Sequence, residues 1–190
     1  MPNEVSLLEM LDARERRVQH QQALLAQYHK PLICFTMNIA GPVKDSPLIR
    51  RGFARGQQLL RQQLFRAGLT PLHTDARCEA TGCEAFYVLD AAPLTIKKFT
   101  TDIEDATPLG RLFDMDVLRP DGVKVDRQEL QLEGRRCLIC GGPAKVCSSR
   151  RVHTVAELQA TTTAILTETM DAWDAATAAQ QAIRALLYEV

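Results

Sequence analysis

The sequence predicts a single α+β domain in which helices cover a mixed sheet, extended by a short cysteine-rich knuckle and a long C-terminal helix. Apolar runs of strand length alternate along the chain with segments whose apolar residues recur at helical spacing. The 190 residues, 46% of them hydrophobic, suffice for one core of ordinary size. We therefore expect residues 1–133 to form the α+β domain, residues 134–153 a knuckle that belongs to it, and residues 154–190 the helix.

The first third of the chain predicts a helix, a buried strand and a second helix. Residues 4–28 are rich in Leu, Ala, Gln, Arg and Glu, a composition that favours a helix. The apolar run from Pro31 to Ala40 predicts a buried strand, which Gly41-Pro42 ends. The second helix should begin after Ser46, a good N-cap residue with proline at the next position, and end near Gly68.

The later elements follow from turn residues and capping signals. Proline opens a third helix, a Pro-Asp-Gly turn follows an apolar strand, and a Thr with a Glu three residues later caps the last helix. The expected order is strands near 69–74 and 85–89, a helix from Pro93, a strand up to Leu118, a return strand at 123–125 that pairs back as a hairpin, and a long helix capped by Thr154 and Glu157.

Charge and cysteine usage bound the class of protein. Lys+Arg and Asp+Glu are both 23, so the formal net charge is zero, whereas a non-specific nucleic-acid binder usually carries a basic field. No apolar run approaches bilayer length and no signal peptide is evident, so we expect a cytoplasmic protein with neither a membrane nor a nucleic-acid partner. The cytosol disfavours disulfides, and Cys34, Cys78 and Cys83 are therefore interpreted as packing residues or free thiols.

Two aspartates lie two residues apart in the apolar run that precedes the Pro-Asp-Gly turn. In a strand, Asp114 and Asp116 would point to the same face. Because adjacent anions repel unless a cation lies between them, the pair is a candidate Mg²⁺ site for phosphate chemistry. Glu104 and Glu84 are candidates for a third acid, and Glu104 is the one assigned as a third acid or base. The alternative is a pair of surface acids beside a turn.

The loop from Gly41 to Ser46 is a candidate anion site. It leaves a strand and enters a helix N-terminus, where free backbone N–H groups and the helix dipole attract negative charge. Lys44 would add a point charge, and Arg50 or Arg51 a planar fork for phosphate. The alternative is a plain loop with exposed cations.

The first helix carries Arg14, Arg17 and Gln21 on one side. This spacing is typical of a solvated helix face. The other interpretation is a basic stripe that helps to hold a phosphate-rich ligand.

A cysteine and histidine pattern follows the α+β domain. Cys137, Cys140, Cys147 and His153 have the ligand types and the C-x-x-C spacing of a tetrahedral zinc site. Four protein ligands would make it a structural Zn²⁺ site with no open position. The alternatives are free thiols, a redox C-x-x-C pair, or a small zinc-dependent nucleic-acid-binding module that uses the arginines on either side, which are Arg135, Arg136, Arg150 and Arg151.

Three blocks of sequence are informative when they are taken together. The blocks are Phe35-Thr36 leading to Gly41-Pro42-x-Lys44-Asp45-Ser46 with Arg50-Arg51, then Pro108-Leu109-Gly110-Arg111-Leu112-x-Asp114-x-Asp116-Val117, and last Arg135-Arg136-Cys137-Leu138-x-Cys140 with Ala144, Cys147 and His153. In this order, and from about Arg14 to about His153, the chain resembles the apo-citrate lyase phosphoribosyl-dephospho-CoA transferases, also called citrate lyase holo-acyl-carrier-protein synthases.

The resemblance implies a specific group transfer. Such enzymes take 2′-(5″-triphosphoribosyl)-3′-dephospho-CoA, attach its phosphoribosyl-dephospho-CoA part to a serine of the citrate lyase acyl carrier protein (gamma chain), and release pyrophosphate. In outline this is a nucleotidyl transfer, and the alternative is the same transfer to the carrier protein of malonate decarboxylase. The resemblance implies Mg²⁺ at Asp114 and Asp116, and a substrate site formed by Gly41, Lys44, Ser46, Arg50, Arg51, Gly110 and Arg111.

Overall fold

The computed structural model describes residues 4–188, the last eight of them by their backbone alone. Its elements are α1 (Leu7–Tyr28), β1 (Leu32–Met37), α2 (Pro47–Arg66), β2 (His73–Glu79), β3 (Gly82–Val88), α3 (Pro93–Ala106), β4 (Phe113–Leu118), α4 (Ala144–Arg150) and α5 (Val155–Tyr188), with 3₁₀ turns at Gly110–Leu112 and Arg127–Leu130. The predicted helix starts are confirmed at Ser46, whose hydroxyl caps α2, and at Thr154, which forms a capping box with Glu157.

The four described strands form one sheet in the order β2-β3-β1-β4. Helix α2 connects β1 to β2 across β3, and α3 connects β3 to β4 across β1, which is the ferredoxin-like pair of split β-α-β units. The α+β class is therefore confirmed. The sheet is antiparallel at every pairing rather than mixed, because each helical connection skips one strand and so separates the strands that run in the same direction.

The two faces of the sheet are covered unequally. Helices α2, α3 and α5 pack on one face, where they bury the main core around Phe35 and Phe113. Helix α1 covers the other face through Leu24 and Leu25, which pack on side chains of β1 and β3. The edge strand β4 therefore has one face in the main core, and most of its other face lies beyond α1.

The segment between β4 and α5 has little regular structure. Val125 N donates to Val117 O at 2.8 Å and Leu118 bridges Lys124, so the expected return strand is a single bridge. The knuckle, residues 134–153, begins with a tight turn, in which Cys137 N donates to Gly142 O at 2.6 Å, and it includes α4. No helix within residues 4–188 combines the length and the apolar character that a membrane crossing requires.

One expectation about the cysteines is wrong. Cys78 and Cys83 are joined by a disulfide rather than being free, because they are directly opposite each other in the β2–β3 register with Cα atoms 4.0 Å apart. Cys34 is a free, buried thiol as expected, and the three knuckle cysteines are also free.

Candidate active site

The two aspartates of β4 share one face of the sheet, as their spacing predicts. Phe113, Met115 and Val117 alternate with them and are completely buried. The side chains of Asp114 and Asp116 are 39% and 31% exposed. They stand on the face covered by α1, but α1 packs on β1 and β3, so the two carboxylates open into a cleft.

The cleft has a volume of about 900 Å³ and lies between β4, α3 and the segment that leads into α4. Its acids are Asp114, Asp116, Glu104 and the exposed Glu133. Cations outnumber these acids, so the cleft as a whole attracts an anionic ligand. The cations are Lys97, Lys124, Arg127, Arg135, Arg136 and Lys145.

The aspartates are paired with cations of this cleft. Lys124 Nζ lies 2.5 Å from Asp116 Oδ1, and Arg135 Nη1 lies 3.6 Å from Asp114 Oδ1. Burial raises the pKa of Asp114, and the charge of Asp116 raises it further. The carboxylate oxygens of the two aspartates lie on one face of an open cleft, where their negative charges repel each other. Such a pair of oxygen donors fits a hard divalent cation such as Mg²⁺.

Glu104 and Lys97 close the free edge of the sheet. Glu104 Oε1 accepts from Met115 N at 2.8 Å, and Lys97 Nζ lies 3.5 Å from Met115 O. Both residues are 3% exposed, and burial raises the pKa of Glu104 and lowers that of Lys97. Glu104 is thus near the aspartates, as expected of a third acid, but its Oε1 is engaged with backbone and its carboxylate faces Arg135 and Arg127 at 3.7 and 4.0 Å.

Sequence reasoning missed four cations of the cleft, which are Lys97, Lys124, Arg127 and Lys145. Lys97 had a readable signal, because Lys97, Thr101 and Glu104 recur at steps of four and three on the inner side of α3. No sequence pattern pointed to Lys124 or Arg127, because their approach to the aspartates depends on the path of the chain after the Pro-Asp-Gly turn.

The loop between β1 and α2 reaches the aspartates from another side. Lys44 lines a second cleft, of about 360 Å³, together with Arg14, Arg17 and Asp114, so Asp114 borders both clefts. Lys44 Nζ donates to Ile39 O at 2.5 Å, and burial lowers its pKa. Arg14 and Arg17 of α1 thus line a cleft, which agrees with the alternative interpretation of this side of the helix as a basic stripe, although Arg17 is paired there with Glu84.

Other predicted substrate-binding residues lie elsewhere or have other contacts. Arg50 is held by Asp45 and Arg51 by Asp174, and neither lines the two clefts beside Asp114. Ile49, Gly52 and Phe53 take the inner face of α2, which directs these two arginines outward. The Ser46 hydroxyl caps Ile49 N at 3.2 Å, and Gly41 (φ +84°) lies against Gln159, so the structure does not bring these four residues to the aspartates.

Gly110 and Arg111 do not line the larger cleft, but they hold the turn before β4 against the segments that form the cleft. Arg111 donates to the carbonyl oxygen of Arg136 and so ties the knuckle to the turn before β4. A Cβ atom at Gly110 would lie 2.3 Å from Ile103 O and 2.9 Å from Glu104 O. Glycine is therefore needed at this position because the backbone of the turn touches the end of α3.

Gly110→Ala is expected to destabilise the protein by about 3 kcal/mol, because backbone cannot yield to the added methyl as a flexible side chain would. The measurement is the urea midpoint of unfolding. Gly134→Ala is the matched control, since nothing lies within 4 Å of the added Cβ. An unchanged midpoint for Gly110→Ala would contradict this packing role.

The cysteines and histidine of the knuckle are brought together. One candidate ligand atom from each of Cys137, Cys140, Cys147 and His153 lies within 4.8 Å of the others. The neighbouring His153 is the main cause that lowers the pKa of Cys140, to about 6, whereas Cys140 is the main cause that raises the pKa of Cys147, to about 11.

Comparison with known proteins agrees with the three sequence blocks. Residues 5–169 match the family model described as apo-citrate lyase phosphoribosyl-dephospho-CoA transferase. A protein of that name from Citrobacter koseri is 37% identical over 154 residues, which cover 81% of this chain and 84% of that protein. Proteins of the same name from Escherichia coli O1:K1 and Shigella boydii serotype 18 are 36% identical with the same coverage. The predicted resemblance is confirmed, and the chain belongs to the apo-citrate lyase phosphoribosyl-dephospho-CoA transferase family.

Proposed function

We propose that this chain transfers 2′-(5″-phosphoribosyl)-3′-dephospho-CoA from its triphosphoribosyl precursor to a serine of the citrate lyase acyl carrier protein. Membership of a family of transferases named for this group and for apo-citrate lyase supports the substrate pair. The observation that carries the reaction class is the placement of Asp114 and Asp116 on one face of β4, in a cleft where cations outnumber acids.

The proposed reaction is a nucleotidyl-type transfer. The serine Oγ of the carrier forms a bond to the phosphorus next to the ribose, and the bond from that phosphorus to the bridging oxygen of the outer diphosphate breaks. The proton of the serine hydroxyl passes to water, and pyrophosphate leaves with the electron pair of the broken bond. Such chemistry depends mainly on positioning and on neutralising charge, which a cleft rich in fixed cations is suited to do.

Asp114 and Asp116 are the residues that would hold Mg²⁺. When bound there, the ion neutralises charge on the reacting phosphate and lowers the pKa of the attacking hydroxyl. Lys124 now pairs with Asp116, but its side chain is 55% exposed. It is therefore free to exchange this carboxylate for a phosphate oxygen of the substrate.

The surrounding cations would bind the triphosphate. Arg127 Nε is buried and has no hydrogen-bond partner in the described residues, and an unpaired buried donor is costly unless a ligand satisfies it. Lys97 is almost fully buried in the wall of the same cleft, and among the described residues its Nζ has one hydrogen-bond contact, a long one to Met115 O at 3.5 Å. On the other side of Asp114, Arg14 and Lys44 would take the phosphates that extend into the second cleft.

A carrier-loading assay tests the proposal. The protein is incubated with apo citrate lyase carrier protein, the triphosphoribosyl precursor and Mg²⁺, and the intact mass of the carrier and the released pyrophosphate are measured. We expect one prosthetic group added and one pyrophosphate released per carrier, and no addition when the acceptor serine is replaced by alanine or when Mg²⁺ is chelated.

A parallel reaction with the malonate decarboxylase carrier protein separates the two acceptors. Loading of that carrier alone would move the proposal to the other acceptor. A carrier mass unchanged in both reactions, under conditions where an established synthase works, would refute the transfer. Salt-sensitive binding to DNA or RNA without transfer would instead favour a nucleic-acid-binding role for the knuckle.

A further inference from the structure

The knuckle, residues 134–153, folds without a core of its own. Most residues between 134 and 153 are exposed, and the others are half-buried. The turn nevertheless has a defined conformation, with Gly141 N donating to Cys137 O at 3.1 Å and a left-handed Gly141 (φ +70°). Short segments that bury little apolar surface usually need a disulfide or a metal ion to hold them. The cysteines of this segment are free, so a metal ion is the cross-link that remains.

The four candidate ligands have the geometry of a closed site. Cys140 Sγ and Cys147 Sγ are 3.5 Å apart, near the edge of a tetrahedron with zinc–sulfur bonds of about 2.3 Å. All four candidate ligand atoms fall within 4.8 Å of one another, so a small contraction would bring them around one ion.

The histidine supplies an independent observation. His153 Nε2 is buried and has no hydrogen-bond partner in the described residues. A left-handed turn at Arg151 (φ 48°) and a bond from Val152 N to Cys147 O at 3.0 Å direct the chain from α4 back toward the cysteines. The turn thus brings the imidazole into the cluster, where a metal ion would give a buried nitrogen its partner.

We propose that Cys137, Cys140, Cys147 and His153 hold one structural Zn²⁺, which fixes the arginine-bearing wall of the cleft. Three thiolates and one imidazole are a ligand set that selects zinc among common cellular ions, and four protein ligands leave no open position for catalysis. The zinc proposal can be tested separately from the proposed transfer, because its test measures metal content and not activity.

The position of the cluster explains what the ion would do. Arg135 and Arg136 come directly before the first ligand. Arg135 donates to Phe113 O and faces Glu104 and Asp114, while the carbonyl oxygen of Arg136 accepts from Arg111. An ordered knuckle therefore holds Arg135 opposite the aspartates, whereas in a disordered knuckle Arg135 would lose this position.

The test is the metal content of the full-length protein, purified under reducing conditions without chelator. We expect one zinc per chain by elemental analysis, and a Co²⁺-substituted protein with the absorption spectrum of a tetrahedral thiolate site. Cys140→Ala and His153→Ala should lose the ion. Cys34→Ala is the matched control, because it removes a free thiol outside the cluster and should leave one zinc bound.

Circular dichroism checks that each variant is folded. If a variant of a proposed ligand does not fold, three measurements on the wild-type protein still test the proposal. They are the metal content, the spectrum of the Co²⁺-substituted protein, and the protection of the three knuckle thiols from alkylation. Excess chelator should abolish this protection. Wild-type protein that retains no stoichiometric zinc after incubation with Zn²⁺ and gel filtration would overturn the proposal. A Cys140–Cys147 disulfide in place of metal would do the same.

Discussion

Asp114→Asn is expected to lower the rate of prosthetic-group transfer by about 10² to 10³-fold, because one of the two proposed ligands of Mg²⁺ loses its charge. The fold should persist. Since the pKa of Asp114 is raised in the folded protein, its ionised form disfavours folding at neutral pH, and the neutral asparagine should leave the urea midpoint at pH 7 equal or higher. The measurements are the single-turnover rate of carrier loading and urea unfolding.

The pH dependence gives this prediction a second check. An acid whose pKa is raised on folding weakens stability as pH increases through the interval between its unfolded and folded pKa values. Any stability advantage of Asp114→Asn should therefore appear at neutral pH and vanish in acid, where aspartate is protonated in both states. An advantage that persisted in acid would point to packing instead.

The control for Asp114→Asn is Asp102→Asn, which makes the same change on the exposed side of α3, where Asp102 pairs with Lys98. It should leave the transfer rate unchanged. Asp116→Asn should lose transfer as Asp114→Asn does. Wild-type activity in Asp114→Asn would remove the metal-site assignment, whatever the stability result.

Local physics accounts for the parts of the fold that the sequence predicted correctly. The two-residue period of a strand placed Asp114 and Asp116 on one face, since their neighbours Phe113, Met115 and Val117 all needed burial. Capping chemistry placed the starts of α2 and α5, because a helix start depends on a few consecutive residues.

The remaining features depend on contacts between distant segments. The antiparallel order of the sheet arises because β3 inserts between β1 and β2, which no short pattern encodes. Arg135 reaches β4 from 22 residues away through its bond to Phe113 O. Phosphate binding was predicted for Arg50, but in the structure Arg50 is paired with Asp45, five residues earlier. The cations of the larger cleft come instead from α3 and from the segment after β4.

Glu104→Ala is expected to destabilise the protein by about 3–5 kcal/mol, the usual cost of removing one partner from a buried charged cluster. The substitution leaves Met115 N without its acceptor and leaves Arg135 and Arg127 without the carboxylate that faces them. The urea midpoint measures this loss. Glu79→Ala is the matched control: it breaks an exposed pair with Arg16 and should cost less than about 1 kcal/mol.

Glu104→Gln then separates positioning from proton transfer. Its amide oxygen can still accept from Met115 N, so the edge of β4 stays covered, whereas the charge that faces Arg135 is lost. If Glu104 positions Arg135, as its engaged Oε1 indicates, the variant should raise KM for the precursor several-fold and keep most of kcat and the shape of the pH–rate profile. If Glu104 is the third acid or base, kcat should instead fall by about 10² to 10⁴-fold at unchanged KM, with one limb of the profile lost. Glu104→Gln should be stable, so a fall in kcat could not be attributed to unfolding. That second outcome would show that Glu104 acts as an acid or base in the reaction and that the knuckle, rather than Glu104, positions Arg135.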